Sequence, residues 1–68
     1  MNISECIKRI RFNAGLNQSD FARAVNINNV SMCMYENGKR KPSFPSIKKI
    51  VDFANRNGMN ITFSDLNI

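Results

Sequence analysis

The sequence has no histidine, and it has two cysteines, Cys6 and Cys33. Without imidazole it lacks the one side chain that ordinarily titrates near neutral pH and the commonest metal ligand. Neither cysteine has a second cysteine at ligand spacing, so no metal site is expected. Catalytic chemistry is equally poorly supplied. There is no nucleophile set beside a base, no phosphate-cradling glycine loop, and no cluster among the five Asp and Glu residues. The chain is therefore read as non-enzymatic, with no catalytic residues and no cofactor. Long apolar runs are missing too. No N-terminal stretch resembles a signal peptide and none approaches the length of a membrane span, so a cytoplasmic protein with no membrane partner is expected. In that reducing compartment the two cysteines are read as buried free thiols. No repeat, low-complexity tract or linker interrupts the sequence.

What is present fits one small helical domain. Sixty-eight residues bury only about 60% of the surface their unfolded chain exposes, so stability is expected to be modest unless the protein dimerises. Hydrophobic residues make up 43% of the chain and the charges do not run in one block, which argues for a packed core. Ten Lys and Arg residues against five acids give +5, a balance that favours a polyanionic partner.

The central stretch, 16–42, predicts two short helices with a tight turn between them and a basic loop behind. Asn17 is a good N-cap with Asp20 placed as its capping-box acid, and Phe21, Ala22 and Val25 recur on one helical face, giving a helix over about 18–25. Asn26 falls where the chain must turn, and asparagine tolerates a left-handed backbone. Ile27 then reaches back to the core. Asn28 caps a second helix over about 29–37, which ends at Asn37-Gly38 and is followed by Lys39, Arg40 and Lys41. Helices at this spacing form a helix-turn-helix.

Around this unit, Ile3, Cys6, Ile7, Ile10 and Ala14 repeat at helical spacing after a capping signal from Asn2 and Glu5, predicting a first helix that ends at Gly15. Ile47, Ile50, Val51 and Ala54 give a fourth helix its apolar face, with Phe53 at its border. Because Phe44 precedes Pro45 and is biased away from helical angles, this helix is expected to start as late as Ser46. It should end near Asn57-Gly58. Residues 59–63 alternate apolar and polar and fit either a short strand or an extended loop, after which Thr62 and Asp65 cap a last turn through Leu66.

The run Leu16-Asn17-Gln18, Ala22, Asn26, Asn28 and Glu36-Asn37-Gly38-Lys39-Arg40-Lys41-Pro42 resembles, without a gap, the lambda-repressor and Cro-like helix-turn-helix family, also called the xenobiotic-response-element type. Asn17 stands where the family pattern has Thr, and Asn26 where it has Gly. Ile7, Ile10, Arg11 and Gly15 fit the family's first helix, and the run from Ile61 to Leu66 is similar to its last short one. Extra residues lie between Ile50 and Ile61, so the fourth helix or its following loop is longer than the pattern. The fold implied is an all-α compact bundle of about five short helices, with the helix-turn-helix over about 17–37.

The resemblance also implies roles. Arg11 would pair with Glu36 and fix the first helix against the DNA-binding unit. Gln18 would lie against the DNA backbone, and Asn28, Asn29, Val30 and Met34, with Ser31 beside them, would face the groove. Asn29 could pair bidentately with adenine, while Val30 and Met34 could touch thymine methyls, which suggests A·T-containing half-sites. The helix carries no Arg, Lys or Gln for guanine. Asn37, Lys39, Arg40 and Lys41 would contact phosphates. The partner expected is double-stranded DNA, bound by a homodimer, because one such domain covers only half an operator. Met59, Ile61 and Phe63 are the candidate dimer surface, with core packing as the competing account, and Phe12 is a further apolar residue that could join it. The function implied is a sequence-specific transcription regulator, a phage- or plasmid-type repressor at a palindromic operator. An antitoxin or adaptor module that also binds a partner protein is the alternative.

Overall fold

The computed structural model describes residues 3–63. These residues form four helices, α1 Ile3–Asn13, α2 Gln18–Ala24, α3 Asn29–Glu36 and α4 Phe44–Arg56, and no strand. The expectation of about five helices is thus one too many for this part of the chain. The last short helix and its Thr62–Asp65 cap fall largely outside the described residues, as does Asn2 of the first capping signal. Residues 59–62 are neither helix nor strand. Their alternation cannot become a strand because Asn60 takes a left-handed φ of 58° and the Ile61 N–H is donated to the Asn55 side chain at 2.6 Å.

The helices α2, α3 and α4 each begin where a polar side chain meets the free N–H groups of the first turn. Asn17 Oδ1 accepts from Asp20 N at 2.8 Å, Asn28 Oδ1 from Val30 N at 2.8 Å and Ser31 N at 3.3 Å, and Ser43 Oγ from Ser46 N at 3.4 Å. The cap at Ser43 corrects the expected late start of α4. Phe44 is already helical although it precedes Pro45, because the proline lies in the first turn, where its missing N–H would have had no helical partner.

All four helices end the same way. Gly15, Asn26, Gly38 and Gly58 take φ between 56° and 79°, and the next residue donates its N–H back to the carbonyl five positions earlier, as in Ile27 N to Ala22 O at 2.9 Å. At Asn26 this left-handed residue makes the turn of the helix-turn-helix, a role in which asparagine replaces glycine at modest strain. The residue following the turn packs on the core at three of the ends, through Leu16, Ile27 and Met59.

The core combines Ile7 and Ile10 of α1, Phe21, Ala22 and Val25 of α2 and its cap, Met32 and Tyr35 of α3, and Ile47, Ile50, Val51, Phe53 and Ala54 of α4. Phe21 and Phe53 meet edge to face at 5.4 Å between ring centres, which locks α2 against α4. Phe53 is thus a core residue rather than a border one. Cys6 and Cys33 form no disulfide, and both are half-buried rather than buried.

Candidate nucleic-acid interface

Burial divides α3 into two faces. Met32, Tyr35 and Glu36 are buried, and at helical spacing this turns Val30, Cys33, Met34 and Asn37 outward, with Asn29 and Ser31 at the edges. Val30 is 62% exposed, which nothing in the core explains. Asn29 and Asn37 are exposed, while Ser31, Cys33 and Met34 are half-buried. The outer face is short, uncharged, and mixed in amide, thiol and aliphatic groups.

The angle of this helix is set from behind by one buried carboxylate. Glu36 is 2% exposed, and Arg11 Nε donates to both of its oxygens, at 3.1 and 2.9 Å. Arg11 Nη1 donates in turn to the Leu16 carbonyl at 3.2 Å, and Gln18 Nε2 donates to Glu36 Oε1 at 3.3 Å. One network therefore joins α1, the loop after it, the start of α2 and the end of α3. The pair read between Arg11 and Glu36 is present. Because desolvation offsets much of the attraction, its contribution is to orientation more than to net stability.

Three side chains read as contacts already have partners within the protein. Gln18 is held by Glu36, which leaves its carboxamide oxygen and second N–H for another group. Asn28 spends its oxygen on the cap of α3, so only its amide nitrogen could reach outward. Asn37 donates to Cys33 Sγ at 3.3 Å. Cys33 was not among the sequence candidates; its place one turn before Asn37 was the available signal.

The loop after α3 departs from the other helix ends. There the place taken elsewhere by Leu16, Ile27 and Met59 belongs to Lys39, whose N–H is donated to the Met34 carbonyl at 3.0 Å and whose side chain stays exposed. Arg40 and Lys41 are exposed as well, and none of the three is in an ion pair among the described residues. Elsewhere Arg23 pairs with Asp20, Lys48 pairs with Asp52, and Lys49 Nζ donates to the Asn26 carbonyl at 3.2 Å. Three free cations thus adjoin the outer face of α3.

Met59, Ile61 and Phe63, read as a dimer surface, are half-buried against the protein's own core. Phe63 sets its ring edge-on to Phe44 at 5.2 Å, and Phe44 is 60% exposed. Phe12 lies elsewhere, in α1, where its ring packs against Arg11.

A recognition-type helix with an exposed neutral face, braced from behind and followed by free cations, defines a DNA-binding helix-turn-helix domain. A family model described as helix-turn-helix matches residues 7–57, most of the chain, and the protein belongs to that family, the Cro and repressor type. By that membership it is a DNA-binding transcription regulator. No curated protein and no solved structure matches the chain. Among the described residues, no helix is long and apolar enough to cross a membrane.

Proposed function

We propose that the protein is a repressor that binds a palindromic operator as a homodimer, with the outer face of α3 reading A·T-containing half-sites. The observation that carries this reading is the exposed, uncharged face around Val30 beside the free cations Lys39, Arg40 and Lys41. An asparagine at position 29 can pair with adenine N6 and N7, and the apolar ends of Val30 and Met34 suit thymine methyls. No Arg, Lys or Gln on α3 is available to guanine O6 and N7. The basic loop would hold the phosphates and set the register, without carrying sequence information itself.

Selection of bound duplexes from a random pool tests the function. The expected product is a two-fold motif rich in A·T steps, and recovery of no motif would overturn the reading. Repeating the selection with Asn29→Ala and Val30→Ala should relax preference at distinct positions of each half-site, by about 1–3 kcal/mol for the bidentate contact. Non-specific affinity should hardly change, since neither side chain is charged. Both variants should fold like the parent, because both residues are exposed.

For the dimer, the support is the aromatic patch of Phe44 and Phe63, continued by the outer edges of Met59 and Ile61. Burying one such ring in an interface is worth about 1.5–3 kcal/mol. Phe44→Asp should therefore leave helix content intact and weaken both self-association and operator binding, read by sedimentation and circular dichroism. A folded Phe44→Asp protein that dimerises like the parent would place the interface elsewhere.

A further inference from the structure

We infer that Phe12 is a positioning residue for DNA recognition, acting as a lid on the Arg11–Glu36 pair that sets the angle of α3. The inference rests on the DNA-binding reading for its functional consequence, though not for its physical basis. Phe12 is 65% exposed and contributes nothing to the core, so ordinary packing gives no reason for an aromatic ring there. The Arg11 guanidinium carbon lies 4.6 Å from the centre of that ring. Consecutive residues on a helix do not ordinarily face each other, so the Arg11 side chain turns over its neighbour's ring to make this contact.

The ring takes a side of the guanidinium that its hydrogen bonds leave free. Arg11 spends Nε on the two Glu36 oxygens and Nη1 on the Leu16 carbonyl, all roughly in the plane of the group. The flat faces of the guanidinium cannot be satisfied by hydrogen bonds, and an aromatic face both attracts the cation and keeps water from it. The Arg11 side chain is left only 14% exposed. Excluding water strengthens the bonds beneath, since the same pair is screened once solvent reaches it. Those bonds end on Glu36, in the last turn of the helix that carries Val30 and Met34, and on the carbonyl just before α2. Gln18 is tied to the same carboxylate. Opening the lid therefore loosens the shared anchor of both helices of the DNA-binding unit while leaving the apolar core untouched.

The test compares Phe12→Trp, Phe12→Leu and Phe12→Ala, all at an exposed position where folding should survive. The first readout needs no DNA: hydrogen exchange of the Arg11 Nε–H, followed by nuclear magnetic resonance. Exchange should remain slow with Trp, speed up with Leu by about two- to fivefold, and speed up further with Ala, the Leu change matching the cation–π range for exposed sites. The second readout is the ratio of operator to non-specific affinity, expected to fall in the same order by a similar factor. Equal exchange for Phe, Leu and Ala would overturn the lid. Altered exchange with an unchanged affinity ratio would overturn the positioning role. If even the parent shows no preference for any duplex, the sequence-reading function fails, and the exchange series still decides whether Phe12 guards the pair.

Discussion

Arg11→Met is expected to lower the unfolding free energy by about 3–5 kcal/mol, because it strands the Glu36 carboxylate, 2% exposed, without its cation. The loss is larger than the worth of the pair itself. Removing one partner leaves a buried charge whose hydration has already been given up, and here Gln18 remains as a single donor at 3.3 Å. The Leu16 carbonyl loses its side-chain donor in the same step. Small domains have about 5–15 kcal/mol in total, so a large share of the folded population should be lost at physiological temperature. Urea unfolding followed by circular dichroism would measure it, and a loss below about 1 kcal/mol would show that water reaches Glu36 freely. Arg11→Met combined with Glu36→Leu provides the complementary result. Apolar replacement of both partners often restores stability, so this protein should fold again. Its operator affinity should nevertheless stay low, because the groups that fixed α3 against α1 and α2 would be gone.

The helix-turn-helix was legible because its signals are local. Asn17 and Asn28 cap as their positions suggest, Asn26 takes the left-handed turn, and the apolar spacing of Phe21, Ala22 and Val25 faces the core. The ion pair of Arg11 and Glu36 joins residues far apart in sequence, and it came from family resemblance, since no periodicity links them. What remained hidden depends on which of several competing signals the fold lets prevail. The bias against helix before Pro45 was outweighed by the Ser43 cap and by the tolerance of the first turn for proline. The alternation over residues 59–63 fits either a strand or an extended loop, and its apolar residues either a dimer surface or the core. In the fold, a left-handed Asn60 and the Asn55 side chain bend this segment onto the core. Gln18 and Asn28, read as DNA contacts, each have part of their hydrogen-bonding capacity committed inside the protein. Phe12 was read as a spare apolar residue, because no spacing rule reveals that its ring covers its neighbour's guanidinium.

Changing Lys39, Arg40 and Lys41 together to alanine should weaken binding to every DNA sequence about equally, leaving the preferred motif as it was. Each cation that neutralises a phosphate releases condensed counterions, so the slope of log affinity against log salt should shrink by about 0.9 per lost contact, up to about 2.7 for all three. The fold should tolerate the change. All three side chains are exposed, none is in an ion pair among the described residues, and the bond from Lys39 N to the Met34 carbonyl belongs to the backbone and survives in alanine. The control is an equal loss of charge elsewhere. Alanines at Arg23, Lys48 and Lys49 remove cations already engaged by Asp20, Asp52 and the Asn26 carbonyl, so they alter net charge without vacating the loop after α3. If position decides, the loop variant loses far more affinity and slope than this control, measured by fluorescence anisotropy across a salt series. If the two triple variants behave alike, general electrostatic attraction is at work. An unchanged slope in the loop variant would show that Lys39, Arg40 and Lys41 stay in solvent when DNA binds.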